Sequence, residues 1–137
     1  MIILNIFLFH LLCCLLSAVV IAFNLTFSSY QSTEIVLYII HSLFIIICYF
    51  LFGYKIITTN KISFSFNAQI WILTIIIIIF SFLDINMACL INLPFQTISS
   101  VLYGTPVNEK TLCIITALIP SALIQIGSVC GFLCARK

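Results

Sequence analysis

The chain predicts an all-α integral membrane protein: four transmembrane helices in an antiparallel bundle, joined by short loops. Three observations predict it. Of 137 residues, 64% are hydrophobic and only 6% charged, with a mean hydropathy of +1.38, whereas soluble domains carry about 25% charged residues. Four apolar runs each reach the ~20 residues that a helix needs to cross a ~30 Å hydrocarbon core. The segments between them are short and polar, with no repeat or low-complexity tail.

The runs cover residues 2–23, 35–57, 68–91 and 111–134 and make one membrane domain, residues 1–137. Their Ile and Phe content would favour strands in water, but lipid offers backbone groups no partners, so each run is expected to be helical. Val20-Ile21-Ala22 looks like a small-residue cleavage site. No charged segment precedes the first run, however, and the run exceeds the 7–15 residues of a usual signal core. It is expected to be a retained anchor. The connections are "NLTFSSYQSTE", "TTNKISFSFN" and "NLPFQTISSVLYGTPVNEK". In the longest, Phe95, Ile98 and Leu102 recur at spacings of three and four between Pro94 and Gly104. Either a short surface helix or an irregular loop fits that spacing. Asn24-Leu25-Thr26 matches a glycosylation sequon, a pattern that also arises by chance.

Lys and Arg set the orientation. Lys55 and Lys61 flank the second connection, and Arg136 and Lys137 end the chain; only Lys110 lies in the third connection. Both termini are therefore expected to be cytoplasmic. Phe-rich, Gly-poor composition (13 Phe, 4 Gly) suggests an AT-rich coding sequence, and with it the plasma membrane of a low-GC bacterium. A net charge of +2 without a Lys/Arg cluster leaves no footprint for nucleic acid. The expected partners are the lipid bilayer and, within it, other membrane helices or further copies of the chain.

Seven cysteines fall within or at the ends of the apolar runs, with no C-x-x-C pair. They read as small hydrophobes, expected to be reduced; Cys130 and Cys134, one turn apart near the C-terminal basic pair, could also be acylated. The polar residues inside the runs are the candidates for function. Under the predicted orientation Asp84 and His41 fall at matched depths on the outer side, and His10 and Gln125 at matched depths on the inner side. Two polar pairs follow, Asp84 with His41 and His10 with Gln125. His10, Cys13, Cys14 and Ser17 share a stripe on the first run, and Tyr38, His41, Ser42, Ile45, Cys48 and Tyr49 share one on the second; Ser81, Asp84 and Ala88 do the same on the third, and Ala117, Ser121, Ser128 and Gly131 on the fourth. Small residues belong where membrane helices touch, so Ser81, Ala88, Ala117, Ser121, Gly127 and Gly131 are expected at helix contacts. Pro120 is expected to kink the last span and free a carbonyl near residue 116.

An ionisable group in a span costs about 2.5–3.5 kcal/mol to insert and is a functional candidate for that reason. Asp84 with His41 could carry protons, or could lock two helices together. No phosphate loop, H-E-x-x-H or nucleophile elbow is present, so no catalytic residue, metal or cofactor is expected. The expected role is noncatalytic: an accessory or interaction subunit acting through helix faces. The alternative is a component of a small proton- or cation-coupled transporter or channel that uses Asp84 and His41.

Overall fold

The structure is a computed structural model and describes residues 2–27, 31–60, 68–95 and 109–135. These residues are helical apart from breaks at Asp84 and Asn92. Five helices stand among them: α1 (Ile2–Phe27), α2 (Gln31–Asn60), α3 (Ala68–Leu83), α4 (Ile85–Ile91) and α5 (Glu109–Ala135). Residues 93–95 are helical again beyond Asn92. Three stretches are long and apolar enough to cross a membrane: Ile3–Thr26, Val36–Ile56 and Thr111–Ala135.

The helices bury their polar stripes and expose their apolar ones. On α1 the residues turned inward are Ile6, His10, Cys13, Ser17 and Asn24, at helical spacing, while Leu8, Leu12 and Val19 are more than half exposed. On α2, His41, Ser42, Ile45 and Tyr49 are buried, while Leu43, Phe44 and Ile47 face out. A soluble helix shows the opposite arrangement. This polarity suits a helix whose solvent is lipid, where close packing and hydrogen bonds hold helices together.

The closest contact is between α2 and α5, and three glycines make it. A Cβ on Gly53 would run into the backbone of Ile124, and one on Gly127 into the carbonyl of Phe50. At Gly131 it would meet the Tyr54 carbonyl oxygen at 2.7 Å. Only hydrogen fits at these positions, and backbone touches backbone. Ala117 and Ser121, each 0% exposed, lie earlier on α5, where it meets α3. Pro120 sits within α5 without ending it. It lacks the N–H that would bond the Thr116 carbonyl, and the Thr74 hydroxyl of α3 reaches the next carbonyl, Ala117, at 2.9 Å.

The third apolar run departs from the expected single helix over residues 68–91. It breaks at Asp84, whose backbone is extended (φ −150°, ψ 110°). Ser81 lies 3.5 Å from the Cys113 sulfur on α5, Asn92 donates to Thr116, and Thr74 to Ala117. In a continuous helix Ser81 and Asn92 would be about 16 Å apart along the axis. Their partners on α5 are about 4.5 Å apart, and the displacement is toward Thr74. The chain therefore turns at Asp84, and α4 runs back beside α3. The turn has a local chemical cause. The carboxylate of Asp84 accepts the Asn86 backbone N–H at 2.9 Å, the bond of a helix N-cap.

The Asp84 cap can be tested by substitution. Asp84→Ala should lower the unfolding free energy in micelles by about 1 kcal/mol, while Asp84→Ser should retain most of it. Equal stability of the alanine variant and the native chain would refute the capping role.

Candidate functional site

The buried polar groups gather in two sets, one between α1, α2 and the end of α4, the other between α3, α4 and α5. The first is built on His10. Its Nε2 lies 2.6 Å from the carbonyl oxygen of Ile91, the last residue of α4. A carbonyl only accepts, so Nε2 carries the proton. Nδ1 is then the acceptor for the Tyr49 hydroxyl of α2, at 2.5 Å. The Cys14 thiol also approaches the Ile91 carbonyl, at 3.4 Å. Around this centre Phe9 meets Tyr49 edge-on at 5.0 Å and stacks on Phe52 at 4.0 Å. Phe95 packs edge-on against Tyr49 from another side at 5.1 Å. Three helices and residue 95 thus converge on one imidazole and one phenol.

A second histidine repeats the arrangement with the helices exchanged. His41 of α2 lies 3.0 Å from the Ser17 hydroxyl of α1, and Ser17 donates to the Cys13 carbonyl at 2.7 Å. Ser17 has one proton, so it accepts from His41 Nε2–H. Each of α1 and α2 contributes one histidine to the other.

Hydroxyls bond the second set. Ser121 donates to the Ile70 carbonyl at 2.9 Å, and Thr74 stands 2.6 Å from the Ser121 oxygen. Ser81 bonds its own Ile77 carbonyl at 2.8 Å and lies 3.5 Å from the Cys113 sulfur. Asn92 donates to Thr116 at 2.6 Å. Among the described residues some buried amide atoms stay without a partner: Asn92 Oδ1, Gln125 Oε1, and both the oxygen and the nitrogen of Asn24.

Neither predicted polar pair is brought together. His41 bonds Ser17, and Asp84 is exposed, turned away from the side on which Ser81 and Ala88 are buried. The depth argument assumed a straight third helix, and the turn at Asp84 removes that assumption. His10 bonds Tyr49 and Ile91 rather than Gln125, because α4 folds back into its reach. Of the residues expected at helix contacts, Ser81, Ala88, Ala117 and Ser121 are buried, and Gly127 and Gly131 abut α2. Phe95, expected near the membrane surface, is 0% exposed within the bundle; Ile98 and Leu102 lie outside the described residues. Asn24 of the sequon is 1% exposed on α1, which disfavours modification there. All seven cysteines are free. Among the described residues no cluster of His, Cys, Asp or Glu is placed to hold a metal ion.

Sequence reasoning passed over Thr74 and Thr116, and it gave Tyr49 and Asn92 no bonding role between helices. Tyr49 had a signal, since it lies on the stripe that carries His41. Thr74 had one too, as the lone hydroxyl in "ILTIIIII". Compared with known proteins, the chain matches no family model, no curated protein and no solved structure.

His10→Phe should release α4 while leaving α2 and α5 packed, with a stability loss of about 0.6–1.7 kcal/mol, the range for bonds between membrane helices. Hydrogen exchange in residues 85–95 should accelerate in His10→Phe and stay unchanged in His41→Phe. Equal acceleration in both variants would show that the Ile91 bond does not hold α4.

Proposed function

We propose that this is a small noncatalytic membrane protein that acts as an accessory or interaction subunit through its outer helix faces. One observation carries the reading. Each ionisable residue singled out in the apolar runs is engaged in holding helices together or capping one. His10 ties α1 to α2 and α4, His41 ties α2 to α1, and Asp84 caps α4. What remains for partners is the apolar exterior, which on α1 is nearly continuous through Leu4, Leu8, Leu11, Leu15 and Val19. Recognition then takes place within the bilayer.

The same reading has the chain cross four times in an antiparallel bundle with both termini cytoplasmic, in the plasma membrane of a low-GC bacterium. The bonding registers support the antiparallel order. His10 meets Tyr49 and, further along α1, Ser17 meets the earlier residue His41. Likewise Ile70 and Thr74 lie near Ser121, whereas Ser81 lies near Cys113. In this arrangement the third crossing is made by α3, Asp84 stands near the outer surface, and α4 dips back as a re-entrant segment. Non-helical backbone at membrane depth is tolerated where protein surrounds it. The transport reading needs Asp84 and His41 on one path, and the exposed corner position of Asp84 argues against it.

Two measurements test the proposal. Photo-crosslinkers placed at Leu8, Leu12 and Val19 in native membranes should give one discrete protein adduct from α1, not a diffuse set. Proteoliposomes containing the native chain should show no proton or cation flux above that of empty vesicles. Flux that Asp84→Asn abolishes would overturn the accessory role in favour of transport. Cysteine labelling should place position 61 on the cytoplasmic side; outside labelling there would reverse the orientation.

A further inference from the structure

The end of α4 lies inside the bundle. Its last carbonyl, at Ile91, rests against His10 and Cys14, and Phe95 packs on Tyr49, near the middle of the Val36–Ile56 stretch. A helix C-terminus carries partial negative charge from its final carbonyls, and no basic residue lies in the last turn of α4. The five Lys and Arg residues, at positions 55, 61, 110, 136 and 137, stand at the ends of the apolar runs or beyond them.

Asn92 caps this helix end and is 2% exposed. Its amide nitrogen donates to Thr116 Oγ1 at 2.6 Å. Thr116 spends its single proton on the Leu112 and Cys113 carbonyls, at 2.9 and 3.1 Å, so toward Asn92 it can only accept. With the proton so placed, the amide nitrogen faces Thr116 and Asn92 Oδ1 is left buried, without a donor among the described residues. Turning the amide over would draw the Thr116 proton away from both carbonyls and leave the amide nitrogen unpaired in place of the oxygen. An oxygen in this position is costly unless something electropositive meets it.

We propose that Asn92 Oδ1 and the C-terminal end of α4 form a binding site for a monovalent cation of the sodium or ammonium kind. The donors are neutral oxygens, which suit a singly charged ion; a divalent ion would call for carboxylates. Ends of interrupted helices meet such ions inside membrane bundles for the same electrostatic reason. A fixed water is the competing occupant, since it too would donate to Asn92 Oδ1. The site goes beyond the accessory role and is read by a different measurement, so either can fail alone.

The test is thermal unfolding of the full chain in a nonionic detergent at constant ionic strength. Sodium, potassium and ammonium chloride are compared with N-methyl-D-glucamine chloride, whose cation is too large to enter. The unfolding midpoint should rise, saturably, with at least one small cation. Asn92→Leu should lose that dependence, and Asn92→Asp, which adds a charge, should respond at lower cation concentration. Should the leucine variant fail to fold, the aspartate variant decides alone. A midpoint identical in all four salts, as a fixed water would give, overturns the proposal. So does a cation response that the Asn92 variants leave unchanged.

Discussion

The carbonyl of Ile91 is the group on which the arrangement of the bundle turns. A helix that ends within a membrane domain presents carbonyls where no water can reach them, and each must find a donor in the protein. Among the described residues the Ile91 carbonyl finds its donors on α1, in the imidazole of His10 and the thiol of Cys14. Once His10 Nε2–H is committed there, Nδ1 can only accept, and Tyr49 supplies the proton. The position of α4 thus determines the tautomer of the histidine, and the histidine in turn joins α1 to α2. Phe9, Phe52 and Phe95 close around this centre with ring contacts, adding packing attraction where apolar burial from water contributes nothing.

The helix contacts rest on different chemistry. Between α1 and α2 the bonds are few, and aromatic side chains as long as Tyr49 span the gap. Between α3 and α5 short hydroxyls reach across to backbone carbonyls, as Thr74 and Ser121 do. Between α2 and α5 glycines bring the backbones together. The reach of the side chains falls in that order, and the separation that each contact can tolerate falls with it.

Much of this could be read before the structure. Helical stripes of polar and small residues marked the inward faces of α1, α2 and α5, because a lipid-facing helix must turn its few polar groups inward. Where a stripe lay on an unbroken helix, as with His41, Ser42 and Tyr49 or with Ser121, Ser128 and Gly131, it marked a buried face. The third run misled because hydropathy averages over a break. Asp84 reads as a polar intruder in an apolar window, whereas its chemistry is that of a cap; an Asp, among the preferred N-cap residues, carried that signal. Depth matching then placed Asp84 beside His41 on a helix that does not continue. Partners such as the Ile91 carbonyl were invisible in principle, since a backbone acceptor has no signature in sequence.

The glycine contact between α2 and α5 also limits how the molecule can move. Side-chain interfaces can be rearranged by rotamer changes, one residue at a time. A seam of touching backbones has no such freedom: sliding or rolling one helix would drive carbonyls into the neighbouring chain at Gly53 and Gly127. The two helices behave mechanically as one stiff beam. Displacement is then left to α1, whose hold consists of long side chains, and to α4, which hangs from the corner at Asp84 by a single extended residue.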